Sequence, residues 1–165
     1  MPEVHLAAFD PGRDLALLAA WLHRPHVARW WGDPEQALAA VRQHPVATEA
    51  LIEVDARPVG YLCWQRPQQE ELATAGLSDL PGDLVDVDIL IGEPDALGQG
   101  VGPEALSQLL ARLRADGVQV VGLAAATTNL RALRAYEKAG FRPFRDFHEA
   151  GQDMRYLVQS LDFAV

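Results

Sequence analysis

The most informative part of this chain is the segment Ile91-Gly92-Glu93-Pro94-Asp95-Ala96-Leu97-Gly98-Gln99-Gly100-Val101-Gly102-Pro103. It follows a β-branched run from Leu84 to Ile91, which predicts a buried strand, and it leads into an apolar-periodic helix from Pro103 to Ala115. Three alternate glycines allow the backbone to approach an anion, and the first N–H groups of the helix point at that anion. The segment therefore predicts a phosphate-binding turn.

The glycine spacing distinguishes this turn from two common phosphate-binding motifs. Alternate glycines do not match the dinucleotide fingerprint G-x-G-x-x-G, and the Lys-Ser/Thr pair of a nucleoside-triphosphate P-loop is missing. Such a turn has neither a metal-binding hydroxyl nor a catalytic lysine. It therefore suits a cofactor whose phosphate is used for binding and does not itself react. We therefore predict coenzyme A as the cofactor.

Composition limits the class of protein and of partner. A length of 165 residues with 49% apolar residues predicts a single domain over residues 1–165. The 14 basic and 23 acidic residues give a net charge of −9, which disfavours nucleic acid and favours a cationic small molecule. Cys63 is the single cysteine, so neither a disulfide nor a cysteine metal site is expected, and we predict no bound metal.

Targeting signals are not apparent in the sequence. The first residues lack the basic and apolar regions of a signal peptide, and no apolar run reaches the length of a membrane span. The sequence predicts a cytoplasmic protein with no membrane partner, and it leaves open whether the protein is a monomer or a homodimer.

Hydrophobic periodicity and turn residues predict the order β-α-α-β-β-β-α-β-α-β-β. The strands are expected at 4–9, 50–55, 58–65, 84–91, 118–124, 141–147 and 153–161. The helices are expected at 14–22, 36–43, 103–115 and 129–139, with a short helical piece at 70–75 inside an acidic loop. This order predicts an α/β (α+β) fold built on one mixed sheet, with helices on both faces.

Two motifs in that order resemble the GNAT superfamily of N-acetyltransferases. Pro94, Gly98, Gly100 and Gly102 match its acetyl-CoA loop, although Leu97 replaces the usual Arg or Gln. The segment Asn129-Leu130-Arg131-Ala132-Leu133-Arg134-Ala135-Tyr136-Glu137-Lys138-Ala139-Gly140-Phe141 resembles its Asn-to-Gly-Phe helix. The resemblance covers nearly the whole chain and implies a mostly antiparallel sheet that is splayed at its centre. It also implies acetyl-CoA as co-substrate.

One branch of the superfamily, the aminoglycoside 6'-N-acetyltransferases, shows a finer resemblance. It is carried by the segment from Asp14 to Gly32 with its Trp30-Trp31-Gly32 ending, by Pro58-Val59-Gly60-Tyr61, and by Asp88. The chain departs from that branch at Ala124, where an acid is often found. The same N-terminal pattern also resembles acyltransferases that modify hydroxylated lysine in siderophore assembly, so both kinds of acceptor stay open.

The catalytic prediction concerns Asp88 and Tyr136. Asp86 and Asp88 are two residues apart on a strand and so share a face, where carboxylates in an apolar strand are costly unless they have a role. The resemblance to that branch implies that the carboxylate of Asp88 acts as the base that deprotonates the amine. It also implies that Tyr136 protonates the departing thiolate. Asn129 lies two helical turns before Tyr136 on the same helix face and is expected at the cofactor. The alternative is a structural role for each residue: a locally hydrogen-bonded carboxylate for Asp88, core packing for Tyr136 and a helix cap for Asn129.

The remaining site predictions follow from the resemblance and from the position of the acidic loop. The predicted cofactor-binding residues are Leu90, Ile91, Gly92, Gly98, Gln99, Gly100, Val101, Gly102, Pro103, Asn129 and Tyr136. The predicted acceptor-binding residues are Trp30, Trp31, Glu70, Glu71, Asp79 and Asp86, with Asp83 as a further loop candidate. His23 and His26 are interpreted as structural because Pro25 lies between them, and Cys63 as a buried inert thiol.

Together these features predict an acetyl-CoA-dependent N-acetyltransferase acting on a cationic small-molecule amine, with an aminoglycoside 6'-amine as the expected acceptor. The enzymatic alternative is an acyltransferase of a siderophore pathway that acts on a hydroxylated amine. The alternative from another class is a catalytically silent acyl-CoA-binding sensor, against which the presence of both Asp88 and Tyr136 argues.

Overall fold

A computed structural model describes residues 3–43 and 48–161 of the chain. In chain order the strands are β1 (Val4–Ala8), β2 (Glu49–Val54), β3 (Arg57–Gln65), β4 (Val85–Ile91), β5 (Val120–Ala126), β6 (Arg142–Glu149) and β7 (Gln152–Ser160). The helices are α1 (Pro11–Leu22), α2 (Pro25–Trp31), α3 (Pro34–Val41), α4 (Gln69–Thr74), α5 (Val101–Ala115) and α6 (Leu130–Lys138). A single 3₁₀ turn, Pro94–Ala96, lies between β4 and α5.

The strands form one seven-stranded sheet with the order β1-β2-β3-β4-β5-β7-β6. The pairs β1–β2, β2–β3, β5–β7 and β6–β7 are antiparallel, whereas β4 and β5 are parallel. The predicted mixed, mostly antiparallel sheet is therefore confirmed. The parallel ladder pairs Val85 with Val121 and Asp86 with Gly122, near the start of β4.

The chain divides into two compact units. The first unit consists of Met1–Cys63 and Ile89–Ala105, and the second consists of Trp64–Asp88 and Leu106–Val165. In the first unit, side chains of α1, α2, β2 and β3 pack around Trp21, Leu18 and Tyr61, which are fully buried. In the second unit, Leu72, Leu77, Leu80 and Leu84 pack with Tyr156. Each unit thus has its own apolar core.

Helix starts account for most differences between the predicted and the observed elements. The expected turn at Asp10-Pro11-Gly12 is instead the beginning of α1, because the Asp10 side chain accepts from the Gly12 N–H at 3.1 Å and Pro11 takes the first helical position. Pro25 likewise begins α2, a helix that the sequence reading missed. The segment Asp33-Pro34-Glu35 is a helix-start signal in the sequence, and α3 begins within it at Pro34, two residues before the expected 36. Asp33 caps this helix by accepting from the Gln36 N–H at 3.0 Å.

Helix α5 begins at Val101, two residues before the expected Pro103. Proline is tolerated there because the first N–H groups of a helix have no partner within it. The predicted helical piece in the acidic loop is confirmed as α4, whereas β5, β6 and β7 are displaced by one or two residues from their expected ends. No helix in the described ranges 3–43 and 48–161 is both long and apolar enough to cross a membrane.

Candidate functional site

The predicted phosphate-binding turn lies in the first unit, between β4 and α5. Gly98 and Gly100 have φ angles of +74° and +77°, a backbone conformation that favours glycine. A β-carbon placed on Gly98, Gly100 or Gly102 would meet no protein atom within 4 Å, so the backbone faces open space there. Since the first amides of α5 have no partner within the helix, the turn offers unpaired donors to an anion such as a pyrophosphate. The turn therefore fits the phosphate of the predicted cofactor.

The strand end that leads into this turn is packed tightly. Leu90 and Gly92 are buried, and Ile91 is half-buried. A β-carbon on Gly92 would overlap the Trp21 ring, so only glycine fits beside that indole. Gln99 is exposed, Val101 is buried, and Pro103 is half-buried in the first turn of α5. All the predicted cofactor residues from 90 to 103 therefore belong to one continuous segment of the first unit.

The two candidate carboxylates lie in the second unit, where β4 begins. Val85 and Val87 are buried, whereas Asp86 is half-buried and the Asp88 side chain is exposed. Water therefore reaches Asp88, yet the surrounding protein still desolvates it and, with the charge of Glu149, raises its pKa to about 6. A carboxylate that titrates near neutral pH and is open to solvent is suited to accept a proton from an incoming amine.

Asp86 lies among four other functional groups of the second unit. Desolvation raises its pKa well above the ordinary range, and the charges of Asp88, Glu71 and Glu149 raise it further. The Tyr156 hydroxyl donates a hydrogen bond to Asp86 at 2.8 Å, which opposes that shift. Three other carboxylates thus repel the charge of Asp86, and a bound cation would relieve that repulsion.

Tyr136 is buried in α6 and is placed by the helix that Asn129 caps. The Asn129 side chain accepts from the Ala132 N–H at 3.3 Å, which confirms its role as a cap. The pKa of Tyr136 is raised above its ordinary value by burial and then by the charges of Asp88 and Asp86. Both effects favour the protonated hydroxyl, so Tyr136 keeps its proton at neutral pH.

Tyr156 and Glu149 act on Asp86 and are candidate site residues that the sequence analysis missed. Tyr156 is on β7, seventy positions after Asp86, and its ring occupies the space that a side chain at Gly122 would fill. Glu149 ends β6 at the exposed hairpin that joins β6 to β7. Neither residue belongs to a motif, and their proximity to Asp86 arises from strand pairing over a long sequence distance.

The predicted acceptor residues have different surroundings in the structure. Asp79 forms a bidentate ion pair with Arg145 at 2.6 and 2.9 Å, which lowers its pKa. Glu71 accepts from the Gln68 N–H in the cap of α4, and its charge still acts on Asp86. Glu70 is exposed on α4. The loop acids thus divide into one that anchors the loop and two that remain available to a cation.

Trp30 and Trp31 end α2 in the first unit. Trp31 packs against the apolar core, whereas one face of the Trp30 ring is covered by Arg29, whose guanidinium carbon lies 4.6 Å from the ring centre. Among the described residues there is no group of three or more His, Cys, Asp or Glu side chains arranged to hold a metal ion.

The sequence matches a family model described as the acetyltransferase (GNAT) domain, over residues 10–148. A relative from Klebsiella pneumoniae, aminoglycoside N(6')-acetyltransferase type 1, is 30% identical over 146 residues, which is 78% of this chain and 69% of the relative. A second relative, N-hydroxyputrescine acetyltransferase of Acinetobacter baumannii, is 31% identical over 94 residues, covering 53% of this chain and 44% of the relative.

A solved structure with a similar fold is that of aminoglycoside acetyltransferase AAC(6')-Ib in complex with coenzyme A and kanamycin. It is 24% identical, has a TM-score of 0.77, and the match covers 96% of this chain and 95% of that protein. This similarity confirms the predicted fold.

Proposed function

We propose a function from the premise that this chain belongs to the GNAT acetyltransferase family. It is therefore an N-acetyltransferase, and its acetyl donor is acetyl-CoA, as the sequence predicted. Within that activity, we assign donor binding to the turn at 98–102 and to the end of β4, acid–base chemistry to Asp88 and Tyr136, and recognition of a cationic amine to the carboxylates around Asp86.

The acceptor that this arrangement favours is a small molecule with several ammonium groups, an aminoglycoside carrying a 6'-amine. The observation that carries this proposal is the effect of the Asp88, Glu71 and Glu149 charges on Asp86, which adds to desolvation in raising the pKa of that carboxyl. Several ammonium groups would satisfy these carboxylates with charge-assisted hydrogen bonds, which are stronger than neutral ones. Glu149 also contributes an acid to a site in which Ala124 occupies a position that is often acidic in aminoglycoside 6'-N-acetyltransferases.

Asp88 acts in the first step. An ammonium has no lone pair, so Asp88 takes a proton from it, directly or through water, and leaves a neutral amine that attacks the acetyl carbon of the donor. A backbone N–H of the strand stabilises the oxygen that becomes negative in this step. The new bond joins nitrogen to the acetyl carbon, and the bond that breaks joins that carbon to sulfur. The nitrogen then loses a second proton to solvent as the amide forms, and this proton balances the one that Tyr136 donates and regains from solvent.

Tyr136 acts in the second step by donating its proton to the departing thiolate, which leaves as the free thiol of coenzyme A. The charges of Asp88 and Asp86 help to hold that proton on Tyr136 before the reaction begins. Once Asp88 has accepted the proton of the amine, one of those charges is neutralised. Proton transfer to Asp88 in the first step therefore makes Tyr136 a better acid for the second step.

Replacing Tyr136 with Phe tests this assignment. The substitution keeps the ring and removes the proton donor, so we expect kcat to fall roughly 10²-fold while the melting temperature stays close to that of the wild type. Tyr61→Phe is the matched control, because Tyr61 is another buried tyrosine and its hydroxyl donates to Glu49 in the first unit. If the Tyr136→Phe enzyme keeps both its rate and its alkaline pH limb, Tyr136 has only a packing role.

The acceptor proposal is tested by comparing kcat/KM, from thiol release, for kanamycin-type sugars, a hydroxylated lysine and simple polyamines. We expect the sugars to be the best substrates. Their kcat/KM should fall with added salt, because salt screens the attraction between ammonium and carboxylate groups, with a Debye length of about 8 Å at physiological ionic strength. Glu149→Gln should lower kcat/KM for the sugars, whereas Asp116→Asn, at an exposed acid beyond α5, should not. If the sugars are the poorest of the three acceptors, the aminoglycoside assignment is wrong and the acetyltransferase assignment stands.

The second candidate function is acylation of a hydroxylated amine. It is favoured by the similarity to N-hydroxyputrescine acetyltransferase, whose name describes an acceptor with fewer cationic groups than an aminoglycoside. Turnover of the hydroxylated lysine with little response to Glu149→Gln would support it. Binding of acetyl-CoA with no turnover of any acceptor would support the silent sensor instead.

A further inference from the structure

The His23-Arg24-Pro25-His26 segment has no role in the chemistry proposed above, but its side chains meet the end of β4. The Arg24 guanidinium donates to the Gly92 carbonyl at 2.9 Å, and the His26 ring bonds the Ile91 carbonyl through Nε2 at 2.9 Å. His23, by contrast, is exposed and does not contact β4: its ring bonds the Ala19 carbonyl at 2.8 Å and lies 3.4 Å from the Glu35 carboxylate of α3. Arg24 and His26 therefore reach consecutive carbonyls of the segment that leads into the glycine turn.

Gly92 is constrained on three sides within the first unit. Its N–H donates to the Val59 carbonyl at 2.7 Å, its carbonyl accepts from Arg24, and its α-carbon lies against the Trp21 ring with no room for a side chain. Six positions separate Gly92 from Gly98, and part of that distance is the 3₁₀ turn Pro94–Ala96. Gly92 is therefore a fixed point from which the chain enters the glycine turn.

Glu93 extends the same set of contacts. Its carboxylate accepts from the Trp21 indole at 2.7 Å, from Arg24 at 3.1 Å and from Arg57 at 3.1 Å. The Arg24 side chain is 36% exposed and that of Glu93 only 16%, so this pairing is partly shielded from solvent. The indole bond, followed by Arg24, lowers the pKa of Glu93, which therefore stays ionised at neutral pH. Arg24 is thus bonded both to the backbone and to a charged partner.

We propose that Arg24 and His26 are positioning residues for acetyl-CoA. By fixing the carbonyls of Ile91 and Gly92, they hold the strand end from which the glycine turn departs, so that its amides are already aligned before the donor binds. The conformational entropy of this segment is then lost when the protein folds, so its ordering does not weaken the binding of acetyl-CoA. This inference rests on the proposed donor-binding role of the turn at 98–102.

Arg24→Met tests the inference, because methionine keeps much of the length of the side chain and removes both donations. We expect the KM and the calorimetric Kd for acetyl-CoA to rise roughly tenfold, as for the loss of a charge-assisted hydrogen bond, while kcat at saturating donor and the acceptor KM stay the same. Arg24→Lys should recover part of the affinity, since its ammonium can still donate to one carbonyl. His26→Phe should act in the same direction with a smaller change.

Two control variants separate positioning from general stability. Arg13→Met removes an arginine that also donates to a backbone carbonyl, that of Ala8 at 3.2 Å, but at the other end of α1. His23→Phe removes the neighbouring exposed histidine. Both controls should leave the KM for acetyl-CoA unchanged. If Arg24→Met lowers the melting temperature or kcat with the donor KM unaltered, its role is structural and the inference is wrong.

The donor-binding role of the turn is checked separately by substitution of its glycines. If variants at Gly100 weaken acetyl-CoA binding and Arg24→Met does not, the turn binds the donor and only the positioning role fails. If the glycine variants bind acetyl-CoA as the wild type does, the donor lies elsewhere and both proposals fail.

Discussion

Asp88→Asn is expected to lower kcat by roughly 10²–10⁴-fold, the range typical of a lost general base. Asparagine is nearly isosteric with aspartate but cannot accept the proton of the amine. Because the proposed donor-binding segment begins beyond Asp88 on β4, the Kd for acetyl-CoA should hardly change. The measurement is steady-state thiol release at saturating donor, together with calorimetric titration of acetyl-CoA.

The pH dependence of the wild-type enzyme belongs to the same prediction. The pKa of Asp88 is raised to about 6, so below that pH the carboxyl is protonated and cannot serve as a base. We expect kcat/KM to fall as the pH drops through about 6 and the Asn variant to lack this limb. Glu149→Gln should move the limb to lower pH, since the charge of Glu149 contributes to the raised pKa.

The contribution of Asp88 to folding stability should decrease with rising pH, whereas its contribution to activity should increase. An acid whose pKa is higher in the folded state than in the unfolded state favours folding below its unfolded pKa, and that contribution is lost as the pH rises through about 6. Replacing Asp88 with the uncharged Asn removes this loss, so the variant should be at least as stable as the wild type at pH 8. If the variant unfolds more readily and keeps normal turnover, Asp88 is a structural group and the base is Asp86, a loop acid or water.

Gly100→Val is expected to raise the Kd for acetyl-CoA by roughly two orders of magnitude. The φ angle of +77° at Gly100 is strained for any other residue and most of all for a β-branched one, at about 1–3 kcal/mol. The turn would leave its conformation to relieve that strain and would lose the alignment of its amides. Isothermal titration of the variant with acetyl-CoA measures this directly.

Gly102→Ala is a second variant of the turn. It distinguishes an effect of backbone strain from an effect of a methyl group placed against the bound pyrophosphate. Gly102 lies in the first turn of α5, and a β-carbon there would meet nothing within 4 Å, so alanine should stabilise the helix by about 0.5–1 kcal/mol. If the pyrophosphate lies against this backbone, the same methyl group should weaken acetyl-CoA binding. A raised melting temperature with unchanged affinity would place the pyrophosphate elsewhere.

Local patterns were enough to predict most of the secondary structure. The hairpin of β2 and β3, the cap of α3 by Asp33 and the cap of α6 by Asn129 all depend on residues within a few positions of one another. Helix α2 was missed for a local reason too. Pro25 was interpreted as the end of α1, but proline also suits the first position of a helix, and here it begins α2. The beginning of α5 was misplaced because a proline can occupy any of the first positions of a helix.

The sequence alone determined the glycine turn at 98–102, the placement of Asp86 and Asp88 on one face of a strand, and the helix that carries Tyr136. Each of these depends on spacing within one element, where backbone geometry sets the direction of side chains. Only the tertiary structure revealed the bond from Tyr156 to Asp86, the charge of Glu149 near Asp88, the engagement of Asp79 by Arg145, and the contacts of Arg24 and His26 with β4. Most of these groups are between 60 and 70 positions apart in the chain, and strand pairing and core packing bring them together, which no local pattern encodes.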